Sequence, residues 1–185
     1  MNREVSIAKK TTLKALLVLG VVGPPFGGVI WKPNRVLAKE RVAQDAGTVT
    51  GLPSGYRDWR LISVAHEAGS LNDLRAVLGN DKAVETYRTG TLPFPDGTII
   101  ARLAWTYTPS NENNKVFGKE QSFVAGTPTN VQLMIKDTKK YAATGGWRFE
   151  QFDHGKAASA EATRGCYACH TPVKNRDYVF TRYAP

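Results

Sequence analysis

From Trp59 onward the chain is written in short apolar and β-branched runs separated by Gly, Pro, Asn and Asp, the punctuation of a sheet protein. Trp59 to Ala65 predicts a first strand, with both its Leu61/Ser63/Ala65 and its Ile62/Val64 faces fairly apolar. Leu74 to Leu78 predicts a second, closed by a turn at Gly79-Asn80. At Asp81 to Arg88 the period changes: Ala83, Val84 and Tyr87 share one helical face, with Asp81 near the start and Gly90 past the end. Pro93, Pro95 and Asp96-Gly97 predict a rigid turn into Thr98 to Thr108, the longest expected strand. Pro109 to Lys115 reads as a polar loop. Ser122 to Ala125 and Val131 to Ile135 predict two strands joined by a turn at Gly126 to Pro128. Lys136 to Ala143 predicts a short helix broken by Gly145-Gly146, and Trp147 to Phe152 another strand. Lys156 to Cys169 predicts one Ala-rich helix, and Tyr178 to Tyr183 a strand or an extended tail. Five or six strands with short connections, and helices at one end, imply an α+β fold on a mainly antiparallel sheet, with a C-terminal helix leading into Cys169.

Upstream of this pattern the charge order is different. Arg3, Lys9, Lys10 and Lys14 precede an uncharged apolar run from Ala15 to Trp31. Positive residues followed by an apolar stretch mark a secretory signal peptide or an N-terminal anchor. The run is about seventeen residues, short for a spanning helix, and Pro24, Pro25 and four glycines weaken it further. Val36-Leu37-Ala38 offers a small-residue cleavage site. A cleaved signal is preferred over a retained inner-membrane anchor, and either puts the globular part in the periplasm. The expected organisation is 1–38 as signal or anchor and 39–185 as one domain, opening with an arm and entry loop over 39–55. That length holds one core and not two.

The formal net charge is +9, but the first 38 residues hold six of the basic residues and one of the acidic ones. Of 25 basic and 16 acidic residues, 19 and 15 are then left for the domain, a net of +4. That removes the charge argument for nucleic-acid binding, and leaves a mildly basic rim suited to an acidic redox partner protein.

The two cysteines of the chain stand in Cys166-Tyr167-Ala168-Cys169-His170. C-x-x-C-H is the signature of covalent haem attachment. Each thiol adds to one vinyl group, and the three-residue step spans the distance between them. The histidine after the second cysteine lies under the iron as its proximal ligand. The expected cofactor is one covalently bound haem c. Other readings of the pair are weaker. A redox dithiol usually opens a helix early in a βαβ unit, and no parallel-sheet pattern follows this one. A zinc site would need a second cysteine pair. A disulfide framework is excluded by the count.

Several dispersed segments then point one way. They are Tyr56-Arg57-Asp58-Trp59, Tyr87-Arg88-Thr89-Gly90, Phe94-Pro95-Asp96-Gly97-Thr98, Val131 to Tyr141, Gly146-Trp147-Arg148-Phe149, the haem pentapeptide, and Asp177-Tyr178-Val179-Phe180-Thr181. In this order the chain resembles the cytochrome P-460 family. These are periplasmic β-rich mono-haem proteins, including hydroxylamine-oxidising enzymes and the cytochromes c′-β. In the hydroxylamine oxidases a lysine on the strand after the D-G-T turn is bonded to the porphyrin ring. Counted from Asp96-Gly97-Thr98, that place is Arg102 here. A protonated guanidinium is a poor nucleophile, so the resemblance implies a haem without that cross-link. The enzymes also use a carboxylate near the open iron face, for which Glu161 is the nearest candidate. Arg102 and Glu161 are thus the candidate catalytic residues, beside Cys166, Cys169 and His170 for the haem.

Met134 on its strand is read as core in preference to a sixth iron ligand, and His66 and His154 as surface or hydrogen-bonding groups. Trp59, Trp105 and Trp147 are read as core. Arg102 keeps two readings: a solvent-facing side chain, or a hydrogen-bond donor to a propionate or an iron-bound anion. Three functions compete: oxidation of hydroxylamine or nitric oxide, binding of small nitrogen compounds without further chemistry, and simple electron transfer by a cytochrome c. The poor choice of sixth ligand weighs against the carrier, and Arg102 against hydroxylamine oxidation in its known form. The preferred expectation is a five-coordinate haem c protein that binds NO, hydroxylamine or related ligands. A homodimer is compatible with the sequence.

Overall fold

The computed structural model describes residues 51–184. The expected export segment, the expected boundary between 38 and 39, and most of the expected entry arm lie outside the described residues. Six strands form one sheet in sequence order: β1 (Arg60–Glu67), β2 (Asp73–Gly79), β3 (Ile99–Pro109), β4 (Phe123–Lys136), β5 (Trp147–Asp153) and β6 (Lys156–Ala157). Every pairing is antiparallel. The α+β expectation on an antiparallel sheet therefore holds. Among the described residues no helix is long and apolar enough to cross a membrane.

Alternation along the strands sorts the side chains onto two faces. Ile100, Met134 and Phe149 are in register across β3, β4 and β5, on the face that also buries Val77 and Trp147. Leu78, Ala101 and Leu133 are in register on the other, which Trp59 and Trp105 cover. The first face carries helix α1 (Asp81–Thr89), and Ala83 and Val84 of α1 are buried against it.

Asn80 is the joint between sheet and helix. It is 1% exposed, and its Oδ1 accepts from Ala83 N at 3.1 Å, an N-cap, and from Ile99 N at 3.1 Å. Its Nδ2 donates to the Gly97 carbonyl at 2.8 Å. One side chain thus starts α1 and fixes the entry to β3. Gly90 closes α1 at φ 66°, a left-handed cap that glycine adopts without penalty.

Four sequence expectations change. Gly126 to Pro128 is not a turn: β4 runs through it for 14 residues and exceeds the 11 of β3. Register slips between Leu103/Trp105 and Trp105/Tyr107 are bulges that absorb the glycine and the proline. Asn111–Phe117, inside and beyond the expected loop, is helix α2, started by the Ser110 hydroxyl accepting from Asn113 N and ended by Gly118 at φ 68°. Lys136 to Ala143 is no helix, because Asp137 Oδ1 accepts from Lys139 N and Lys140 N and folds the chain into a turn. Lys156 to Cys169 is not one helix but β6, a four-residue turn α3 (Ala160–Thr163) and a five-residue turn α4 (Cys166–His170). Pairing of Lys156 and Ala157 with β5 takes its first turn away, and Gly165 separates the other two.

Replacing Asn80 by Ala removes the cap and leaves three backbone groups, two of them buried, without their partner. The expected loss is about 3 kcal/mol of unfolding free energy, read as a lower urea midpoint with an unchanged slope.

Candidate functional site

The turn α4 places Cys166 and Cys169 three residues apart and His170 four beyond Cys166, all on one side of a helical turn. The chain then makes a 3-10 turn over Thr171–Arg176 and doubles back at Asp177 and Tyr178, whose φ values are 51° and 64°. Two consecutive left-handed residues without glycine are uncommon. They aim the Tyr178 carbonyl at His170, where it meets Nδ1 at 2.6 Å. A carbonyl only accepts, so Nδ1 carries the proton and Nε2 keeps the lone pair that binds a metal. The ring is held on two sides, by Phe149 and by Phe180, each at a centroid distance of 5.0 Å. Burial lowers the His170 pKa, although the Tyr178 carbonyl works against that, so the ring is neutral at pH 7.

His170 and Cys166 line one cleft of about 800 Å3, its mouth included, on the Ile100 face of the sheet. Val77, Ile100, Met134 and Phe149 give an apolar wall, and Val179 and Phe180 of the returning tail give another. Arg75, Arg102, Glu67 and Glu150, with the amide of Gln132, give a polar and mostly charged flank. Asp73, 6% exposed, holds both arginines: Arg75 Nε lies 2.7 Å from Oδ1 and Arg102 Nη1 3.7 Å from Oδ2. Arg75 also reaches Glu67 at 3.3 Å, and Arg102 Nη2 donates to Asn130 Oδ1. The buried Nε of Arg102 has no partner among the described residues. Burial, then Arg75, lowers the Arg102 pKa to about 10, so the guanidinium remains charged at neutral pH. Burial and Cys169 raise the Cys166 thiol, which Arg102 partly offsets.

These features fit a haem. An apolar cleft suits the macrocycle, an unpartnered cationic donor suits a carboxylate on its edge, and a neutral histidine with a free Nε2 suits the iron. The structure brings Arg102 together with Cys166 and His170. Glu161, the expected pocket carboxylate, is not with them: on α3 its side chain is 68% exposed and ion-paired to Arg164. The four-residue turn ends before the chain reaches the cleft, so the residue nearest the motif in sequence is not nearest in space. Glu67, from the end of β1, and Glu150, from β5, stand at the cleft instead. Glu67 and the Asp73–Arg75 pair were missed, because their relation to Arg102 exists only through strand register. Met134 lines the cleft, whereas His66 stacks on Tyr107 at 3.9 Å and His154 lies in a second groove. That groove lies against the opposite face, beside Tyr56, Trp105 and Phe152, and holds none of Arg102, Cys166, Cys169 and His170.

The family model described as Cytochrome P460 matches residues 53–181, which span the sheet, the cleft and the tail. The chain belongs to the cytochrome P460 family. It is therefore a haem c cytochrome, and the match takes in all the segments on which the resemblance rested. A search of curated proteins returned no match.

In this cytochrome Asp73 is the common anion of two cleft arginines. Asp73→Ala leaves both without it, at an expected cost of about 3 kcal/mol, measured by chemical denaturation of the haem-loaded protein.

Proposed function

We propose that Cys166 and Cys169 carry one haem through thioether bonds, with His170 Nε2 as the proximal iron ligand. The protein then acts in the periplasm as a binder of small nitrogen compounds, such as nitric oxide or hydroxylamine, at a five-coordinate iron. The observation that carries this reading is the 2.6 Å contact of His170 Nδ1 with the Tyr178 carbonyl, which commits the other ring nitrogen to the cleft that Cys166 lines. A haem supplies a redox-active Lewis acid for such ligands. The chain supplies the rest. Apolar side chains of β2 to β5 and of the tail exclude water. Arg75 and Arg102 offer charge-assisted hydrogen bonds to propionates or to an anionic ligand. A mildly basic exterior suits an acidic redox partner protein.

Five-coordination is supported by the poverty of other ligands. Met134 is paired in register with Phe149, the ring packed on His170, which favours a packing role on the proximal side. His66 and His154 are outside the cleft. Simple ligand binding is favoured over oxidation of hydroxylamine. Arg102 stands where the family's oxidases carry their cross-linking lysine. Glu161 is exposed and Glu67 is engaged by Arg75, which leaves Glu150, ion-paired to Arg148, as the cleft carboxylate that an oxidase would have to use as its base.

Three outcomes check this reading. The double variant Cys166→Ala/Cys169→Ala is expected to lose all haem on acid–organic extraction, where the parent keeps it. Peptide mapping of the parent is expected to show two thioether links and no adduct on Ile99–Pro109; a lysine or strand adduct would restore the oxidase reading. The ferric protein is expected to be high-spin by paramagnetic resonance, and Met134→Ala is expected to leave it so. A low-spin signal abolished in Met134→Ala would replace this reading by electron transfer.

A further inference from the structure

Three of the segments on which the family resemblance rested converge on a buried ion pair that the haem reading does not use. Lys136 ends β4, Gly145-Gly146-Trp147 begins β5, and Asp177-Tyr178 turns the tail. Lys136 is 2% exposed and Asp177 9%. The ammonium bonds both carboxylate oxygens, at 2.7 and 2.9 Å, and the Gly145 carbonyl at 3.1 Å, and stands 4.9 Å from the centre of the Trp147 ring. Asp177 Oδ2 also accepts from Phe94 N at 2.9 Å, and the Asp177 carbonyl from Trp147 Nε1 at 2.8 Å. The side chain and carbonyl of Asp177 are thus clamped from three segments.

The clamp sits on the first of the two left-handed residues. The second, Tyr178, is held from its other side. Gly145, at φ 66°, lies so close to the Tyr178 ring that a Cβ there would overlap it. Strain of this kind persists only where surrounding contacts over-determine it. What the strained turn delivers is a single carbonyl, 2.6 Å from His170 Nδ1.

We propose that Lys136, Asp177 and Gly145 are positioning residues for the proximal histidine: their buried knot fixes the Tyr178 carbonyl, and through it the orientation and basicity of His170. The proposal rests on His170 being the iron ligand. The partner of the distal ring nitrogen sets how strongly imidazole donates to a metal. A displaced carbonyl therefore weakens the iron–histidine bond and stabilises ferrous over ferric iron. The knot acts without touching haem or ligand.

Resonance Raman spectroscopy of the ferrous haem-loaded protein reads the iron–histidine stretch directly. Asp177→Asn keeps the side-chain shape and an acceptor for Phe94 N but removes the charge facing Lys136. Gly145→Ala keeps the ion pair and displaces Tyr178. Both are expected to lower and broaden the band and to move the midpoint potential in the positive direction. Phe152→Leu, at a position 3% exposed on the opposite face and outside the cleft, is expected to lower the melting temperature while leaving band and potential in place. Bands of Asp177→Asn and Gly145→Ala that superimpose on the parent's would overturn the proposal, as would an equal shift in Phe152→Leu. A parent protein with no iron–histidine band would instead overturn the ligand reading of His170 itself.

Discussion

A lysine and an aspartate withdrawn from water hold the C-terminal tail of this molecule to its sheet. Desolvating each ion costs several kcal/mol, and the mutual attraction offsets that only when the remaining hydrogen-bonding capacity is filled. Here it is filled by groups that come from separate parts of the chain: the Phe94 amide, the Gly145 carbonyl and the face of Trp147. The tail cannot shift by an ångström without leaving one of those charges unpaired. A hydrophobic contact at the same place would bury comparable area, yet would tolerate sliding. Direction is what the ion pair adds, and a histidine that must face a metal from one side requires direction.

The sheet face above this knot is graded along the strands. Trp147, Ile100, Met134 and Phe149 lie towards one end, and two residues along β2 and β3 the side chains become Arg75, Asp73 and Arg102. A planar apolar group with acidic edges would match such a gradient, its ring over hydrocarbon and its charges against guanidinium. The arginines are already balanced by Asp73 and Glu67, which lowers the cost of keeping them on a partly buried wall.

What could be read from the sequence was what local chemistry decides. The β3 alternation of Ile99, Ala101 and Leu103 against Ile100 and Arg102 is a strand whatever surrounds it, and Asp81 with Gly90 brackets α1 by rules of helix termini. The family likeness was legible too, because it resides in residues that the fold needs. The misreadings came where a distant partner overrules local preference. Gly126 and Pro128 spell a turn alone, but bulges in β3 let them continue a strand. Asn111 to Asn114 spell a loop, although Ser110 and Gly118 were legible as caps for a helix there. Ala-rich spacing spelled one helix to Cys169, and pairing of β6 with β5 cut it short. At the site the cysteines and histidine were legible because they are contiguous. The arginine–carboxylate cluster was not, since Glu67, Asp73 and Arg102 meet only through register.

The meander order has a consequence for how the cleft is assembled. Each strand pairs with its sequence neighbour, so the sheet is built from short loop closures. The tail is the reverse: Asp177 bonds Phe94 across 83 residues, and Tyr87 bonds the Thr181 carbonyl across 94. Closing loops of that size costs about 2 kcal/mol more chain entropy than closing one of roughly ten residues. The tail's seat is thus the entropically dearest contact of the domain. The strand wall of the cleft can stand without it, while the wall made by Val179 and Phe180 cannot. The cleft thus joins a floor made by neighbouring strands to a cover brought from the far end of the chain.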